Sequence, residues 1–400
     1  IVPKQNEDEA KFNGMKIYAA SNLTDAYDST KHLERFTSNM KVNNYTNNSV
    51  TFNEENIKTA KEYETNGKLT RFNYDDIRAM EIAVAGKHNL LLDGAHGCGK
   101  TVLGQFVHLV TPQLTPEEAM SVTRIYSLAG LTRPNESLIK ETPFRIPHQT
   151  ASIEGICGGG PNCRPGEISL AHNGTLFLNE AAEFRSSVLQ MLRVPLENGA
   201  ITLSRAGRTT VYPARFQLVM ATNPCPCGNF GSEDKICVDS TKSIELYHKK
   251  FSAPLLDRME IQKFVEPRKP DDTDNRSISV DELTSNIAKA YEIQRKRQAY
   301  NSQLSPSEVQ EYCHIDEESR KELDDAVIRN SFTPRKVNNA LKVALTIANL
   351  DGRTEINKED MKESISLVKD VFDMYNIQIK KDTSARTPGT SRKKETERIP

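Results

Sequence analysis

The sequence lacks a surplus of charge, a long apolar run and a paired set of cysteines. Lys and Arg number 53 against 54 Asp and Glu, so the net charge of −1 gives no global attraction to nucleic acid or membrane. No apolar run approaches the ~20 residues of a membrane span. The seven cysteines cannot all pair in disulfides, and a chain of 400 residues is long enough to form a core without a disulfide framework. These absences predict reduced cysteines and a cytoplasmic protein without a membrane partner, and any nucleic-acid site must be a local patch.

The rest of the composition predicts a globular protein of two or three domains. Hydrophobic residues make up 37% of the chain and charged residues 27%. From Tyr74 to Glu266, short apolar strands alternate with helical patterns, which predicts an α/β domain with a parallel sheet. The strands are predicted at 89–93, 175–179 and 216–222, and the helices at 76–86, 101–110, 116–129 and 183–197. From residue 283 the periodicity is helical only, which predicts a second, all-α domain.

Polar segments predict the remaining boundaries. Residues 41–72 are rich in Asn, Thr, Glu and Lys, and residues 267–282 are also polar, so both are predicted to be linkers. Residues 376–400 are basic with little to bury, which predicts a disordered tail; a solvated tail is favoured over phosphate contact. The chain begins at Ile1 rather than Met, so we expect a fragment.

A phosphate-binding pattern follows the first predicted strand. It is the sequence G-x-x-x-x-G-K-[ST], at Gly94, Ala95, His96, Gly97, Cys98, Gly99, Lys100 and Thr101. Glycines let backbone N–H groups turn toward phosphate oxygens, and the start of the next helix adds partial positive charge. Lys100 is expected to reach the outer phosphates and Thr101 to ligate Mg²⁺. Cys98 is interpreted as a small filler, with a redox-sensitive thiol as the alternative.

Two further strand ends carry polar residues. A Walker-B strand usually ends in Asp and is often followed by Glu, whereas this one ends in Asn179 followed by Glu180. Glu180 is the candidate general base that polarises the attacking water; an exposed strand-end acid is the alternative. Asn179 keeps an acceptor oxygen but lacks the charge, so we expect weaker Mg²⁺ binding and slower hydrolysis. Asn223 follows strand 216–222 and is expected to position the water, with a plain turn as the alternative.

Several segments resemble the Mg-chelatase-like AAA+ ATPases of the competence-associated ComM/YifB type. They are PFRIPHQTAS (143–152), RPGEISLAHNGTLFLNE (164–180), PLENGAITLSRAGRTTVYPARFQLVMATNPCPCG (195–228), PLLDRMEIQ (254–262) and PRKVNNALKVALTIANLDG (334–352). The start of the chain, with Pro3, Asn6, Glu9 and Ala10, resembles the end of that family's Lon-protease-like domain. The resemblance implies a Lon-like (S5-like) remnant at 1–40, a P-loop AAA+ core at 73–266 and an all-α lid at 283–375.

The resemblance also implies an activity and an assembly. The family is a set of ATP-hydrolysing motors that form hexameric rings and move on DNA, promoting branch migration in recombination during natural transformation. Arg258 matches the arginine finger, which reaches the γ-phosphate bound by a neighbouring subunit. Arg335 matches the sensor-2 arginine at the start of a lid helix, with a solvated helix arginine as the alternative.

The resemblance gives candidate DNA contacts as well. Residues 201–213 match a β-hairpin that faces the ring's pore together with the glycine-rich insert at 158–160. Arg164, Arg205 and Arg208 are therefore candidate contacts to a DNA backbone, with ordinary surface arginines as an equal alternative.

A cysteine array follows the predicted strand at 216–222. Cys225, Cys227, Cys237 and Asp239 form a C-x-C…C-x-D pattern, and three thiolates with one carboxylate suit tetrahedral Zn²⁺. The C-x-C spacing is less specific than C-x-x-C, and Asp239 stands where relatives often have a fourth cysteine. Unligated loop cysteines are therefore the favoured alternative.

Two other hypotheses about function stay open. One is the ATPase subunit of a magnesium chelatase, against which the CPCG stretch at 225–228 and the Lon-like start argue. The other is a nucleotide-binding assembly module that has lost hydrolysis, with Asn179 as its signature. Ala95 and His96 replace the two prolines usual in the family's loop, which indicates a divergent member.

Overall fold

The fold was analysed on a computed structural model of the chain. The structure describes residues 1–4, 18–31, 50–69, 72–132, 138–205, 208–230, 235–266 and 276–372. The predicted tail at 376–400 lies outside the described residues, as do residues 267–275 of the second predicted linker. In the described parts of the chain, no helix is both long and apolar enough to cross a membrane.

A five-stranded sheet, in which every pairing is parallel, forms the centre of the molecule. Its strand order is β11-β3-β10-β7-β4, so the first core strand, β3, lies between β10 and β11. Two-stranded pairs accompany it: β1 with β2 in parallel, and the antiparallel hairpins β5–β6 and β8–β9. The strands are β1 Val2–Pro3, β2 Ala19–Ala20, β3 Leu90–Asp93, β4 Phe144–Arg145, β5 Gly158–Gly159, β6 Arg164–Pro165, β7 Thr175–Leu178, β8 Ala200–Arg205, β9 Arg208–Pro213, β10 Gln217–Thr222 and β11 Ile261–Phe264.

Helices cover both faces of this sheet. Side chains of successive strand residues point to opposite faces, so Leu90 and Leu92 join one apolar cluster while Leu91 joins another. The helices are α1 Leu23–Lys31, α2 Glu54–Thr65, α3 Tyr74–Gly86, α4 Lys100–Leu109, α5 Pro116–Ala129, α6 Ile153–Cys157, α7 Glu167–Leu170, α8 Ser186–Met191, α9 Arg193–Asn198, α10 Thr241–His248, α11 Ala253–Leu256, α12 Val280–Arg297, α13 Pro306–Tyr312, α14 Glu317–Asn330, α15 Pro334–Leu350 and α16 Lys358–Val368, with 3-10 turns at Ala181–Glu183 and Asn301–Gln303.

The C-terminal helices α12 to α16 share their core with one face of the sheet. Helices α12 and α15 pack against α3, and α16 packs against β11. Val343 and Ile347 of α15 belong to the same apolar cluster as Leu90. The predicted α/β architecture, with a parallel sheet followed by helices, is confirmed.

The predicted polar linker at 41–72 is wrong for part of its length, because α2 lies within it. Asn53 accepts hydrogen bonds from the backbone N–H groups of Glu55 and Asn56, which caps the helix. Ala60 is buried, and Tyr63 stacks with Phe106 of α4 at 6.2 Å between ring centroids. Apolar residues at 57, 60 and 63 form the packed face, and the surrounding polar residues hid that spacing.

The helix predicted at 183–197 is two short helices, α8 and α9. They meet at Leu192, three residues before Pro195. Proline has no backbone N–H, so it cannot continue the hydrogen-bond ladder of α8. Residues 280–282 of the second predicted linker belong to a helix, since α12 begins at Val280.

Candidate functional site

The loop Gly94–Gly99 joins β3 to α4 at the carboxyl end of the sheet. Gly97 and Gly99 have φ of +84° and +92°, a region that side chains other than glycine rarely adopt. A Cβ at Gly99 would lie 2.6 Å from the ring of Phe72, so this glycine is also required by close packing. The loop is therefore held in the turned conformation that its sequence pattern predicts.

Lys100 is folded back onto this loop. Its Nζ donates hydrogen bonds to the carbonyl oxygens of Gly94 and Ala95, at 2.6 and 2.7 Å, and lies 3.5 Å from Cys98 Sγ. These two carbonyl oxygens are the hydrogen-bond acceptors for the ammonium group within the loop. Burial raises the pKa of the Cys98 thiol above its ordinary value, although Lys100 opposes this, so the thiolate is disfavoured. The filler interpretation of Cys98 fits this environment better than a redox-sensitive thiol.

A hydrogen bond links the start of α4 to the residue that follows β7. Thr101 Oγ1 donates a hydrogen bond to Asn179 Oδ1 at 2.8 Å. A hydroxyl and an amide oxygen are both ligands that Mg²⁺ accepts, so this pair fits the implied ion without supplying charge. Glu180 follows with φ +53° and ψ +51°, a strained conformation for a residue with a side chain, and its side chain is exposed.

Asn223 lies at the same edge, one residue beyond β10. Thr222 is paired in register with Asp93, the last residue of β3, so the ends of β3 and β10 meet. Asn223 Nδ2 is 3.4 Å from Nε2 of His96 in the loop. His96 also packs on Gly228, where a Cβ would lie 2.0 Å from the imidazole. The structure thus brings the loop, Asn179, Glu180 and Asn223 together at one edge.

Arg258 and Arg335 lie at the opposite edge. The backbone carbonyl of Arg258 accepts a hydrogen bond at 2.8 Å from Nδ2 of Asn89, which precedes β3, whereas the phosphate loop follows β3. The length of β3, roughly 13 Å, therefore separates Arg258 from the loop of its own chain. Both arginines form ion pairs with one carboxylate, that of Glu197, with Arg335 Nη2 at 3.4 Å.

A polar cleft of about 760 Å³ surrounds this arginine pair. Its walls come from the α/β region and from the C-terminal helices, which contribute Arg335 and Lys342. Asn339 Nδ2 of α15 donates to the carbonyl oxygen of Asp257 at 3.1 Å, next to Arg258. The cleft thus presents several cations at the amino end of the sheet.

The two small hairpins pack on each other. A Cβ at Gly158 of β5 would lie 2.9 Å from Leu203 of β8, and Tyr212 of β9 donates from its hydroxyl to the carbonyl oxygen of Cys163 at 2.9 Å. Arg164 is exposed and pairs with Gly159. Arg205 and Arg208 are backbone partners in the β8–β9 register, at the end of the hairpin, and residues 206 and 207 between them are outside the described residues.

Two family models match neighbouring parts of the chain. The family model for magnesium chelatase, subunit ChlI, matches residues 72–273, and the model for the C-terminal part of that subunit matches residues 277–367. The chain belongs to this family of AAA+ proteins. The predicted membership is confirmed, and the family implies binding of ATP and Mg²⁺.

Curated relatives match the same region. YifB of Escherichia coli strain K12 and YifB of Salmonella typhimurium are each 37% identical over 294 residues, which is 72% of this chain and 57% of the relative. The competence protein ComM of Haemophilus influenzae matches with the same identity and the same shares of each chain. The matched region therefore spans little more than half the length of these relatives.

The cysteine array of this family member is assembled next to Asn223. The sulfur atoms of Cys225, Cys227 and Cys237 lie 3.4 to 3.7 Å apart, and Asp239 Oδ2 is 3.9 Å from Cys237 Sγ. Two thiolates bound tetrahedrally to zinc at about 2.3 Å are about 3.8 Å apart. The backbone N–H of Cys227 donates to Asp239 Oδ2 at 2.8 Å, which fixes the carboxylate. The four side chains form a possible metal site.

One residue and the contacts of another at these edges were not predicted from the sequence. Glu197 bridges the two arginines across 61 and 138 positions of sequence, and no local pattern marks it. His96 was assigned to the phosphate-binding pattern and noted as a departure from the family's prolines, but its contacts with Asn223 and Gly228 were not predicted. The departure from the family's prolines was the signal that the sequence offered.

Proposed function

We propose that this protein is an ATP-hydrolysing AAA+ motor that assembles as a homo-oligomeric ring and acts on DNA. The observation that carries the proposal is the separation of its nucleotide-site residues. The phosphate loop lies at the carboxyl end of the sheet and the arginine pair lies at the amino end. An arginine that cannot reach the nucleotide of its own chain can serve one bound by a neighbour.

At the carboxyl end, the chain's own groups bind the substrate and prepare the attack. Backbone N–H groups of Gly94–Thr101 bind phosphate oxygens, and Lys100 exchanges its two loop carbonyls for the outer phosphates. Glu180 takes a proton from the attacking water, and Asn223 orients that water. Thr101 and Asn179 hold Mg²⁺, which when bound neutralises charge on the transferred phosphoryl group.

At the amino end, Arg258 and Arg335 act on the adjacent subunit. A guanidinium group there stabilises the charge that develops on the γ-phosphoryl oxygens. A hexamer is the expected assembly because the family resemblance implies it. The cytoplasm suits this proposal because the seven cysteines are free.

The DNA part of the proposal rests on the hairpins and on a relative's name. Arg164 is exposed on a hairpin that packs against β8–β9, whose end carries Arg205 and Arg208. Arginines carried by these two hairpins would bind a phosphate backbone without reading its sequence. ComM, one relative, is named for competence. Branch migration during natural transformation is the specific role we propose.

Two alternatives concern the chemistry that nucleotide binding would drive. A magnesium-chelatase-type ATPase subunit is favoured by the name of the matching family model. An assembly module with weak or lost hydrolysis is favoured by Asn179, since the Thr101–Asn179 pair offers a cation no formal charge.

Steady-state ATP hydrolysis with Mg²⁺ distinguishes these functions. Turnover is measured alone, with single-stranded DNA and with branched DNA, and Lys100→Ala sets the background. DNA-stimulated turnover is the expected result. Turnover indifferent to DNA would favour the chelatase-type subunit, and nucleotide binding without turnover would favour the assembly module.

Zinc is the metal we propose for Cys225, Cys227, Cys237 and Asp239, because the sulfur separations fit its tetrahedral geometry. Elemental analysis of the purified chain should find one zinc per chain. Cys227→Ser should lose it, and Cys313→Ser, at a buried cysteine elsewhere, should keep it. A wild-type chain purified without chelators that holds no zinc would contradict the proposal.

A further inference from the structure

Glu197 joins the two arginines through one carboxylate. Its Oε2 accepts from Arg258 Nη2, and its Oε1 lies 3.4 Å from Arg335 Nη2. Hydrogen bonding to Arg258, with a smaller contribution from Arg335, lowers the pKa of Glu197 below its ordinary value. The carboxylate is therefore charged over the physiological range and pairs with both cations at once.

The two arginines are held to very different degrees. The Arg258 side chain is only 10% exposed, and its Nη1 donates to the carbonyl oxygen of Pro254. The Arg335 side chain is 43% exposed, and Glu197 is its acidic partner. Within the part of the chain that the structure describes, Nε of Arg258 has no hydrogen-bond partner. That Nε is buried, so the N–H groups most open to another acceptor are those of Arg335, the more exposed side chain.

Removal of the carboxylate would leave two like charges side by side. Two guanidinium groups that had shared one carboxylate would repel each other. Arg335, the more exposed of the two, could then turn into solvent. An exposed ion pair contributes little to stability, so the main consequence of the Glu197 contacts is geometric. Catalysis by charge stabilisation depends on donors that are already in place.

The backbone next to Glu197 is also fixed by its helix end and by a hydrogen bond. It lies in α9, and Gly199 ends that helix in the left-handed region with φ +64°. The carbonyl oxygen of Gly199 accepts from the N–H of Ala214 at 2.8 Å, which closes the base of the β8–β9 hairpin. The carboxylate is therefore anchored three residues before Ala200, the first residue of the hairpin that we propose for DNA contact.

We propose that Glu197 is a positioning residue that holds Arg258 and Arg335 in register for the nucleotide of a neighbouring subunit. This inference rests on the proposed ATPase function with arginines supplied in trans. Glu197 contributes one carboxylate that contacts two elements. Arg258 lies in the segment between α11 and β11, and Arg335 lies in α15.

A double-mutant cycle with kinetics tests the inference. The variants are Glu197→Gln, Arg258→Ala and the double variant, with Glu245→Gln as the matched control at an exposed glutamate on α10. Glu197→Gln should lower kcat on the order of 10²-fold with little change in KM, because misplaced groups lose transition-state contacts. In the Arg258→Ala background the same change should have a much smaller effect. Glu197→Asp should restore part of the loss, and thermal unfolding of Glu197→Gln should match the wild type.

The outcomes separate this inference from the proposed function. Absence of Lys100-dependent turnover, or full activity of Arg258→Ala, would overturn both. A defective Arg258→Ala alongside an unimpaired Glu197→Gln would overturn the positioning role alone. So would fully additive losses, or a rise in turnover, since a rise would mean that the carboxylate withholds the arginines.

Discussion

The two ends of the parallel sheet differ in what their polar residues can do alone. At the carboxyl end, three segments that are distant in sequence converge within hydrogen-bond distance: the loop with Thr101, Asn179 and Asn223. At the amino end, two arginines pair with one glutamate and face a cleft rather than the loop of their own chain. We propose that one end binds nucleotide and that the other completes a binding site on another copy.

This difference follows from parallel topology. Loops after parallel strands gather at one edge, so the residues after β3, β7 and β10 must be neighbours. Arg258 precedes β11, which pairs with β3, and it is therefore placed at the other edge. The distance between the two groups of residues is set by strand length and not by side-chain rotamers.

The largest expected effect comes from the amino end. Arg258→Ala should lower kcat by about 10³-fold or more, the range typical of arginines that stabilise phosphoryl transfer, while nucleotide affinity is nearly unchanged. Lys100→Ala should instead lose nucleotide binding. Fluorescent-nucleotide titration beside turnover measurements separates the two variants. An equal loss of nucleotide affinity in the two variants would contradict the assignment of nucleotide binding to the carboxyl end of the sheet.

The next effect concerns the missing charge at the carboxyl end. Asn179→Asp should lower the Mg²⁺ concentration for half-maximal turnover by about tenfold and raise the rate, because it adds a carboxylate beside Thr101. Asn66→Asp adds the same charge at an exposed helix end and serves as the control. An Asn179→Asp variant with unchanged Mg²⁺ dependence would argue against an ion at this pair.

The smallest effect concerns stability at the amino end. His88 precedes β3, its Nε2 lies 2.7 Å from Thr346 Oγ1 of α15, and burial lowers its pKa to about 3. A histidine with a depressed folded pKa stabilises the fold above its unfolded pKa of about 6.5, and that contribution is lost as the pH falls. The wild type should therefore lose about 2 kcal/mol more than His88→Gln between pH 7.5 and 5.

Urea unfolding at the two pH values measures this difference. His314→Gln, at an exposed histidine, is the control and should follow the wild type. Parallel behaviour of wild type and His88→Gln would show that the contact between β3 and the C-terminal helices does not depend on a neutral imidazole.

Local sequence patterns predicted which segments meet at the carboxyl end of the sheet, but they did not predict the contacts at the amino end. The apolar strands at 89–93, 175–179 and 216–222 and the glycine pattern are contiguous in sequence, and parallel topology brings their ends together. The pairing of Glu197 with Arg258 and Arg335 depends on how α9 and α15 dock, which no short segment encodes. Helix α2 was missed for a related reason, because its few apolar residues have a function only against α4.

Mixing two inactive variants tests the central claim most directly. Lys100→Ala retains both arginines but cannot bind nucleotide productively, and Arg258→Ala binds nucleotide but lacks the finger. If the two ends of the sheet serve different subunits, the mixture should recover ATP turnover well above either variant alone, with a maximum at intermediate ratios. A mixture no more active than the sum of its parts would contradict the account, because it would place Arg258 in service of its own chain or of no nucleotide at all.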